Sequence, residues 1–239
     1  MKVIPISLGG VFLSLLPALL VVGLLFQWRM SWREGLIALI RMLVQLLSVG
    51  FLLTWLFAIE QAPLVLAILV FMILVSSWIS LRTVPGVRWR LLAHAVLAIA
   101  LGGGSVLALL VVAILDVSPW YEPRFLVPLA GMFFANAMNS VSLSAERMRT
   151  ERARGEPVEA ARRVALGAGL IPITNSLFAV GLVSLPGMMT GQILAGVSPL
   201  IAVRYQIVIM ASVYAAAGIA SATFLQLSGH GWRESSEVA

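Results

Sequence analysis

Hydrophobic residues follow this chain in long runs that are separated by short polar segments. The runs cover about residues 6 to 27, 35 to 58, 63 to 81, 91 to 115, 125 to 144, 165 to 185 and 207 to 227. Most of these runs reach the roughly 20 apolar residues that an α-helix needs to cross the hydrocarbon core of a bilayer. The pattern therefore predicts an all-α fold, a polytopic bundle of about seven transmembrane helices.

The composition leaves little material for anything besides this bundle. Of the 239 residues, 61% are hydrophobic and only 11% are charged, which is more apolar surface than a soluble core of this size can bury. We therefore predict a single transmembrane domain, 1–239, with a cytoplasmic loop over 146–163. Because the chain has no cysteine, disulfides and thiolate metal ligands are excluded.

The arginines between the runs predict the orientation of the bundle. They lie in the first loop (Arg29, Arg33), the third (Arg82, Arg88, Arg90), the fourth (Arg124) and the fifth, which holds six. Since cytoplasmic loops carry the excess of basic residues, the odd loops are predicted to be cytoplasmic, with the N-terminus outside and the C-terminus in the cytoplasm. The predicted location is a bacterial inner membrane. The basic residues form no continuous stripe, which argues against a nucleic-acid partner. The segment 187–206 stays open between re-entrant and spanning, and a spanning segment would reverse the C-terminal orientation.

A few polar side chains fall inside the predicted spans. Arg41 and Gln45 lie four residues apart in the second span, Asn136 and Asn139 share a face of the fifth, and Asn175 lies within the sixth. Polar groups at bilayer depth usually face protein or water, so we predict that these five residues line a translocation pathway. Snorkelling of Arg41 and plain interhelical hydrogen bonding of the asparagines are the alternatives. No span carries a carboxylate, which disfavours proton-coupled transport.

The residue pattern of the fifth loop is typical of a helix, a turn and a second helix. Ion pairs at helical spacing are expected for Glu146/Arg149, Glu151/Arg154 and Glu159/Arg163. Gly155 would end the first helix and Pro157 would open the second. The candidate contact residues for a cytosolic partner are Glu151, Arg152, Gly155, Glu156, Pro157 and Glu159. The alternative is a solvated loop that only sets the topology.

Several motifs resemble a known family. The run from Val180 to Gly196 reads VGLVSLPGMMTGQILAG and is followed by Ser-Pro at 198–199 and Arg-Tyr-Gln-Ile at 204–207; further matches are RMLVQL at 41–46 with Gly50, PLAGM at 128–132 and NAMN at 136–139. These motifs strongly resemble the FetB-type ABC transporter permeases, a family with a bacterial iron-export permease and plant aluminium-tolerance permeases. The resemblance covers the chain from about Glu34 to Gln226.

The resemblance implies the membrane subunit of an ABC transporter, a homodimer that works with a separate cytosolic ATPase. That partner would bind ATP and magnesium, since this chain has no P-loop motif and is expected to be neither an enzyme nor a cofactor-binding protein. The implied activity is export of iron or a metal-related solute. The metal-binding residues stay unknown, because the spans offer neither carboxylates nor thiolates. The connection from Gly155 to Pro172 is shorter than the family pattern.

The resemblance also implies a gate or hinge within the run from Val180 to Gly196. Its residues are Leu185, Pro186, Gly187, Met188, Met189, Thr190 and Gly191. An ordinary tight turn at a helix end is the alternative. For the whole chain, the rival function is an ATP-independent channel or scaffold whose basic loop binds anionic membrane lipid. The interleaved glutamates argue against it, because lipid-binding clusters are usually nearly pure Lys and Arg. An intramembrane enzyme lacks support, since the spans hold no paired acid and base.

Overall fold

A computed structural model describes residues 6–57, 61–230 and 232 of the chain. These residues form helices, turns and one isolated bridge between Val180 and Ser184, with no strand in the described part. The all-α prediction is therefore confirmed. The chain divides between Ile59 and Glu60 into two compact units.

The first unit is a helical hairpin of α1 (Leu8–Gln27) and α2 (Trp32–Leu56). Ser7 caps α1, because its hydroxyl accepts a hydrogen bond of 3.2 Å from the backbone N–H of Gly10. A tight turn joins the helices, and Arg29 adopts a left-handed φ of 56° there. Phe26 and Trp32 meet edge to face across the turn, with ring centroids 5.8 Å apart.

The second unit holds the remaining helices: α3 (Ala62–Ser80), α4 (Arg88–Ile99), α5 (Ser105–Leu109), α6 (Pro123–Ala153), α7 (Val158–Ala179), α8 (Gly187–Leu194) and α9 (Pro199–Leu227). The π-helical segment Ala100–Gly104 joins α4 to α5, and a second one, Leu110–Ile114, continues α5, so that all four form one helical rod. α6 lies at the centre and packs against α3, α7 and α9. Phe133 of α6 and Phe224 of α9 are fully buried, so the core of this unit sits between these two helices.

Small residues bring the helical rod close to its neighbours. A Cβ on Gly102 would lie 2.6 Å from the backbone nitrogen of Ala220, and one on Gly103 would lie 2.6 Å from the ring of Phe134. The absence of a side chain therefore permits close helix approach at Gly102, which faces α9, and at Gly103, which faces α6.

Among the described residues, six helical segments are long and apolar enough to cross a membrane: Leu8–Gln27, Trp32–Phe51, Ala62–Thr83, Pro85–Ile114, Pro123–Ala153 and Pro199–Leu227. α7 also has 22 residues, but its first turns carry Glu159, Arg162 and Arg163, which lower its mean hydropathy. The predicted count of about seven spans is close to this result. The predicted orientation of the termini stays a prediction.

Two predicted boundaries differ from the structure. The sixth run was expected to continue to residue 185, but α7 ends at Ala179 and a turn follows, with Gly181 at a φ of 81°. The last span was expected to begin at residue 207, but α9 already starts at Pro199, because proline suits the first position of a helix. The segment between them contains α8, whose 8 residues are about 12 Å long and too short to span.

Candidate functional site

The predicted coupling loop is a tight turn between two long helices. α6 continues without a break to Ala153, and α7 begins at Val158. The N–H of Glu156 donates to the carbonyl of Glu151 and the N–H of Gly155 to that of Arg152, at 3.2 and 3.1 Å. This pair of bonds is a Schellman motif, and Gly155 takes the left-handed position at a φ of 85°. The predicted helix-turn-helix is confirmed, with both arms as direct extensions of α6 and α7.

Glu151 holds the end of α6 together. Its side chain is only 8% exposed, and its Oε1 forms an ion pair with Arg147 Nη2 at 2.8 Å and accepts a hydrogen bond from Arg154 Nη1 at 3.2 Å. Two guanidinium partners offset the cost of burying a carboxylate. The expected pair with Arg154 is therefore confirmed. Glu151 therefore faces these two arginines, and its predicted role as a contact residue stays a prediction.

The other expected ion pairs are only partly as predicted. Glu159 pairs with Arg162 at 2.7 Å, whereas the Nε of Arg163 points to the backbone carbonyl of Glu159. The carboxylate of Glu146 accepts from the Thr150 hydroxyl at 3.0 Å instead of from Arg149. These choices reflect helix geometry, because i+3 and i+4 partners compete for the same carboxylate.

The outer surface of the turn is polar and exposed. Gly155, Glu156, Pro157 and Glu159 are exposed. Arg152 is half-buried, and its guanidinium donates to the carbonyl of Glu156. The structure thus brings these predicted contact residues together on one turn. We refer to residues 152–159 as the coupling turn.

Sequence reasoning missed the role of Arg162. Its Nε donates to the carbonyl of Leu225 at 3.1 Å and its Nη2 to that of Gln226 at 3.2 Å, while Nη1 pairs with Glu159. These carbonyls lie in the last turn of α9, where the helix leaves acceptors without intrahelical partners. Gly229 leaves room for the guanidinium, since a Cβ there would lie 2.2 Å from Arg162 Nη2. Arg162 therefore ties the start of α7 to the end of α9.

Of the predicted translocation residues, Arg41 and Gln45 belong to the first unit, and Asn136, Asn139 and Asn175 belong to the second. Asn136 donates from its Nδ2 to the Met132 carbonyl of its own helix at 2.8 Å. Asn139 and Asn175 are exposed on the surface of the second unit, and Arg41 and Gln45 are exposed on α2 of the first. The pathway they were expected to form stays a prediction.

The predicted gate segment forms the start of α8. Pro186 is the N-cap residue, and its carbonyl accepts a hydrogen bond of 3.1 Å from the Thr190 hydroxyl. Met189 is buried, while Leu185 and Met188 are exposed. Neither Gly187 nor Gly191 has a positive φ, so both glycines occupy ordinary helical positions. The expectation that the segment moves as a gate stays a prediction.

An apolar cleft of about 720 Å³ lies among α7, α8 and α9. Leu185 and Met189 of the gate segment line it, together with Leu177 near the end of α7 and Gln206 and Tyr214 of α9. Gln206 is 6% exposed, and its Oε1 has no hydrogen-bond partner within the described residues. We call this feature the α8 cleft. Several lining residues, among them Leu185, Met189 and Gln206, belong to the motifs at 180–196 and 204–207, but the sequence did not indicate a cleft, which depends on how the three helices pack.

A site for a hard metal ion is not evident in the described residues. They contain no group of three or more His, Asp or Glu side chains placed to hold a metal.

The long apolar helices and the basic turn between two of them define a polytopic helical membrane protein. Residues 10–157 and 152–231 match the model of the family described as uncharacterised protein family UPF0014, and the chain belongs to that family. The localisation predicted from the sequence, an integral protein of a bacterial inner membrane, is thereby confirmed.

Named relatives are similar over most of their length. The chain is 33% identical over 203 residues to the UPF0014 membrane protein slr1647 of Synechocystis, covering 79% of this chain and 76% of the relative. It is 32% identical to the "Probable iron export permease protein FetB" of Escherichia coli, covering 71% and 70%. It is 30% identical to the protein ALUMINUM SENSITIVE 3 of Arabidopsis thaliana, covering 88% and 81%. The family predicted from the motifs is therefore confirmed. No solved structure matches the chain.

Proposed function

We propose that this protein is the membrane permease subunit of an ABC transporter, driven by a separate cytosolic ATPase that binds ATP and magnesium. The observation that carries the proposal is the coupling turn, an exposed polar surface held rigid by a Schellman motif at Gly155 and by the buried carboxylate of Glu151. A relative named as an iron export permease favours the same function. On this proposal the chain has no ATPase site and needs no cofactor of its own.

The contacts of α7 suggest how a movement of the ATPase would be transmitted to the membrane helices. The coupling turn leads directly into α7, and Arg162 bonds α7 to the last carbonyls of α9. From Arg162 to Leu177, at the α8 cleft, α7 extends about 22 Å at 1.5 Å per residue. A displacement of the turn would therefore shift α7 and α9 together and change the width of the cleft.

We further propose that the transported solute is iron or a metal-related compound and that transport is outward. The similarity to the E. coli protein supports the class of solute and the direction. Two copies of the chain would form the functional permease, as the resemblance implies. The missing cluster of hard ligands in the described residues favours a complexed metal over a bare ion.

The first test is affinity purification of the tagged full chain in mild detergent, with identification of the proteins that co-elute. We expect a P-loop ATPase in stoichiometric amount. The charge reversals Glu156→Lys and Glu156→Lys with Glu159→Lys should reduce its recovery at least several-fold, because both carboxylates face outward from the turn. Glu122→Lys, before α6 at the opposite end of that helix, is the matched control and should leave recovery unchanged.

The same variants test the rival function. A channel or scaffold that binds anionic lipid through the basic turn would gain affinity for phosphatidylglycerol vesicles when glutamates become lysines. Reproducible absence of an ATPase, together with stronger vesicle binding by the double variant, would contradict the transporter proposal and favour the channel or scaffold.

A further inference from the structure

One face of α2 carries polar side chains along a helix that is otherwise mostly apolar. Arg41, Gln45 and Ser48 are four and seven residues apart, which places them within about 60° of one another around the helix axis. All three are exposed. The Ser48 hydroxyl donates to the Val44 carbonyl at 2.8 Å, whereas Arg41 and Gln45 have no hydrogen bond or ion pair within the described residues. We call Arg41, Gln45 and Ser48 the α2 polar face.

This face lies deep in a candidate span, Trp32–Phe51. Arg41 is about 14 Å from Trp32 and about 15 Å from Phe51 along the helix axis, so its Cα is near the middle of a hydrocarbon core of roughly 30 Å. Lipid headgroups, with their phosphates, lie near the two ends. Snorkelling can bring the guanidinium closer to one end, but the amide of Gln45, one turn further from Trp32, would stay in hydrocarbon. The α2 polar face is therefore expected to contact protein or water.

The charge at this depth is positive. Among Asp, Glu, Lys and Arg in the six candidate spans, Arg41 is the residue farthest from a span end. Arg204, exposed in the second turn of α9, adds a second positive charge inside a span. The carboxylates of these spans all lie close to a span end; they are Glu34, Glu146 and Glu151. A pathway along the α2 polar face would consequently repel cations and attract anions.

The functional groups also match an anion. A guanidinium presents several N–H donors in a planar fork, which binds the oxygens of a carboxylate or a phosphate in pairs. The Gln45 amide adds two further N–H donors about 6 Å along the axis. A bare metal cation has no acceptor for any of these donors.

We propose that the α2 polar face lines the permeation pathway and selects an anionic solute, whose carboxylate or phosphate oxygens are bound by Arg41 and Gln45. The inference rests on the proposed permease function, for which it specifies the charge of the solute. A metal would pass along this face only inside a negatively charged complex.

The test uses two thiol reagents of similar size and opposite charge. The anionic one is 2-sulfonatoethyl methanethiosulfonate, and the cationic one is 2-(trimethylammonium)ethyl methanethiosulfonate. Each transfers its thioalkyl group to a cysteine thiolate, forming a mixed disulfide and releasing methanesulfinate. Because the chain has no cysteine, Ser48→Cys places a single thiol on the α2 polar face. Rates are measured by mass spectrometry of the intact full chain in phosphatidylcholine nanodiscs.

The measured quantity is the rate with the anionic reagent divided by the rate with the cationic one, relative to Ser31→Cys in the first loop. We expect Ser48→Cys to react, with a ratio about fivefold higher in the presence of Arg41 than in the Arg41→Gln background. One charge about 10 Å away in a water-filled space has an effect of this order on two oppositely charged reagents. Arg41→Lys keeps the charge and should keep most of the ratio. High salt should lower the ratio without any substitution at Arg41.

Leu46→Cys is the matched control on α2. Leu46 is 65% exposed and lies about 160° around the axis from Ser48, at nearly the same depth. We expect its thiol to react with neither reagent, because that side of α2 is apolar and a thiol in hydrocarbon is not ionised.

Three results would overturn the inference. If Ser48→Cys does not react while Ser31→Cys does, the α2 polar face has no access to water. A ratio that is the same with Arg41 and with Arg41→Gln would show that Arg41 does not select anions. Equal reaction of Leu46→Cys and Ser48→Cys would show that the aqueous pathway is not confined to the polar face. None of these measurements requires the ATPase, so their failure leaves the purification result intact, and the reverse also holds.

Discussion

A single backbone conformation determines the shape of the coupling turn. Gly155 has a φ of 85°, in the left-handed region, and donates to Arg152 while Glu156 donates to Glu151. A side chain at this position would meet no neighbouring atom within 4 Å. The cost of replacing Gly155 is therefore a backbone cost alone, which makes the position a clean test of the turn.

We expect Gly155→Ala to destabilise the protein by about 1 kcal/mol, because left-handed backbone is unfavourable for residues with a Cβ. The measurement is the midpoint of thermal unfolding in detergent, which should fall. The midpoint should fall less for Gly155→Asn, since asparagine tolerates this conformation. Gly167→Ala on α7, where a Cβ also meets open space but φ is not positive, should not lower the midpoint. An unchanged midpoint for Gly155→Ala would contradict the role given to its conformation.

At this scale the sequence predicted some of the local partners, although not those of Glu146 and Glu159, and none of the distant ones. It predicted the break at Gly155, the start near Pro157 and the pair of Glu151 with Arg154, because these follow from residue types within four positions. It could not predict that Arg162 bonds the carbonyl of Leu225, 63 residues away. That contact depends on the antiparallel packing of α7 against α9.

Between elements, packing depends on glycines whose surroundings differ sharply. A Cβ on Gly102 would lie 2.6 Å from the Ala220 nitrogen and 2.7 Å from the Ala216 carbonyl oxygen, both backbone atoms of α9. Two residues on, a Cβ on Gly104 would meet nothing within 4 Å. Backbone atoms cannot move aside as a side chain can, so Gly102 requires the absence of a Cβ and Gly104 does not.

Gly102→Ala should therefore push the π-helical segment away from α9 and cost about 1–3 kcal/mol, the usual penalty for overpacking a tight contact. Gly104→Ala is the matched control within the same triplet and should be neutral or slightly stabilising, because alanine has the better helix propensity. Both are compared by the unfolding midpoint in detergent. Equal midpoints for the two variants would show that the close approach to α9 is not needed for stability.

The end of α7 and the start of α9 could not be predicted from the sequence. Val180 to Leu185 and Ile201 to Val203 are about equally apolar, yet the first stretch is a turn and the second is helix. The turn is set by Gly181 at a positive φ and by the N-cap of α8 at Pro186. Hydropathy reports how much apolar surface a segment has and carries little information about where the helix ends.

For the whole molecule, the membrane topology of the C-terminal half depends on whether α7 crosses the membrane. Its length of 22 residues permits a crossing, although its first turns carry Arg162 and Arg163. Arg162 bonds the end of α9, while Leu177 lies beside the first part of α9 at the α8 cleft. α7 therefore runs antiparallel to most of α9, one of the six candidate spans. This arrangement favours a crossing that places residues 154–157 inside and 180–186 outside.

The absence of cysteine makes this arrangement directly measurable. We expect the Arg154→Cys variant to react with a membrane-impermeant maleimide only from the cytoplasmic side, and the Leu182→Cys variant, at an exposed position, only from the outside. Ser31→Cys, in the first basic loop, is the cytoplasmic reference, and the cysteine-free parent gives the background. If Arg154→Cys and Leu182→Cys react from the same side, α7 does not cross. α9 would then run outward, its C-terminal end would face the exterior, and the contact of Arg162 with Leu225 could not form in the membrane, because its two partners would lie on opposite sides.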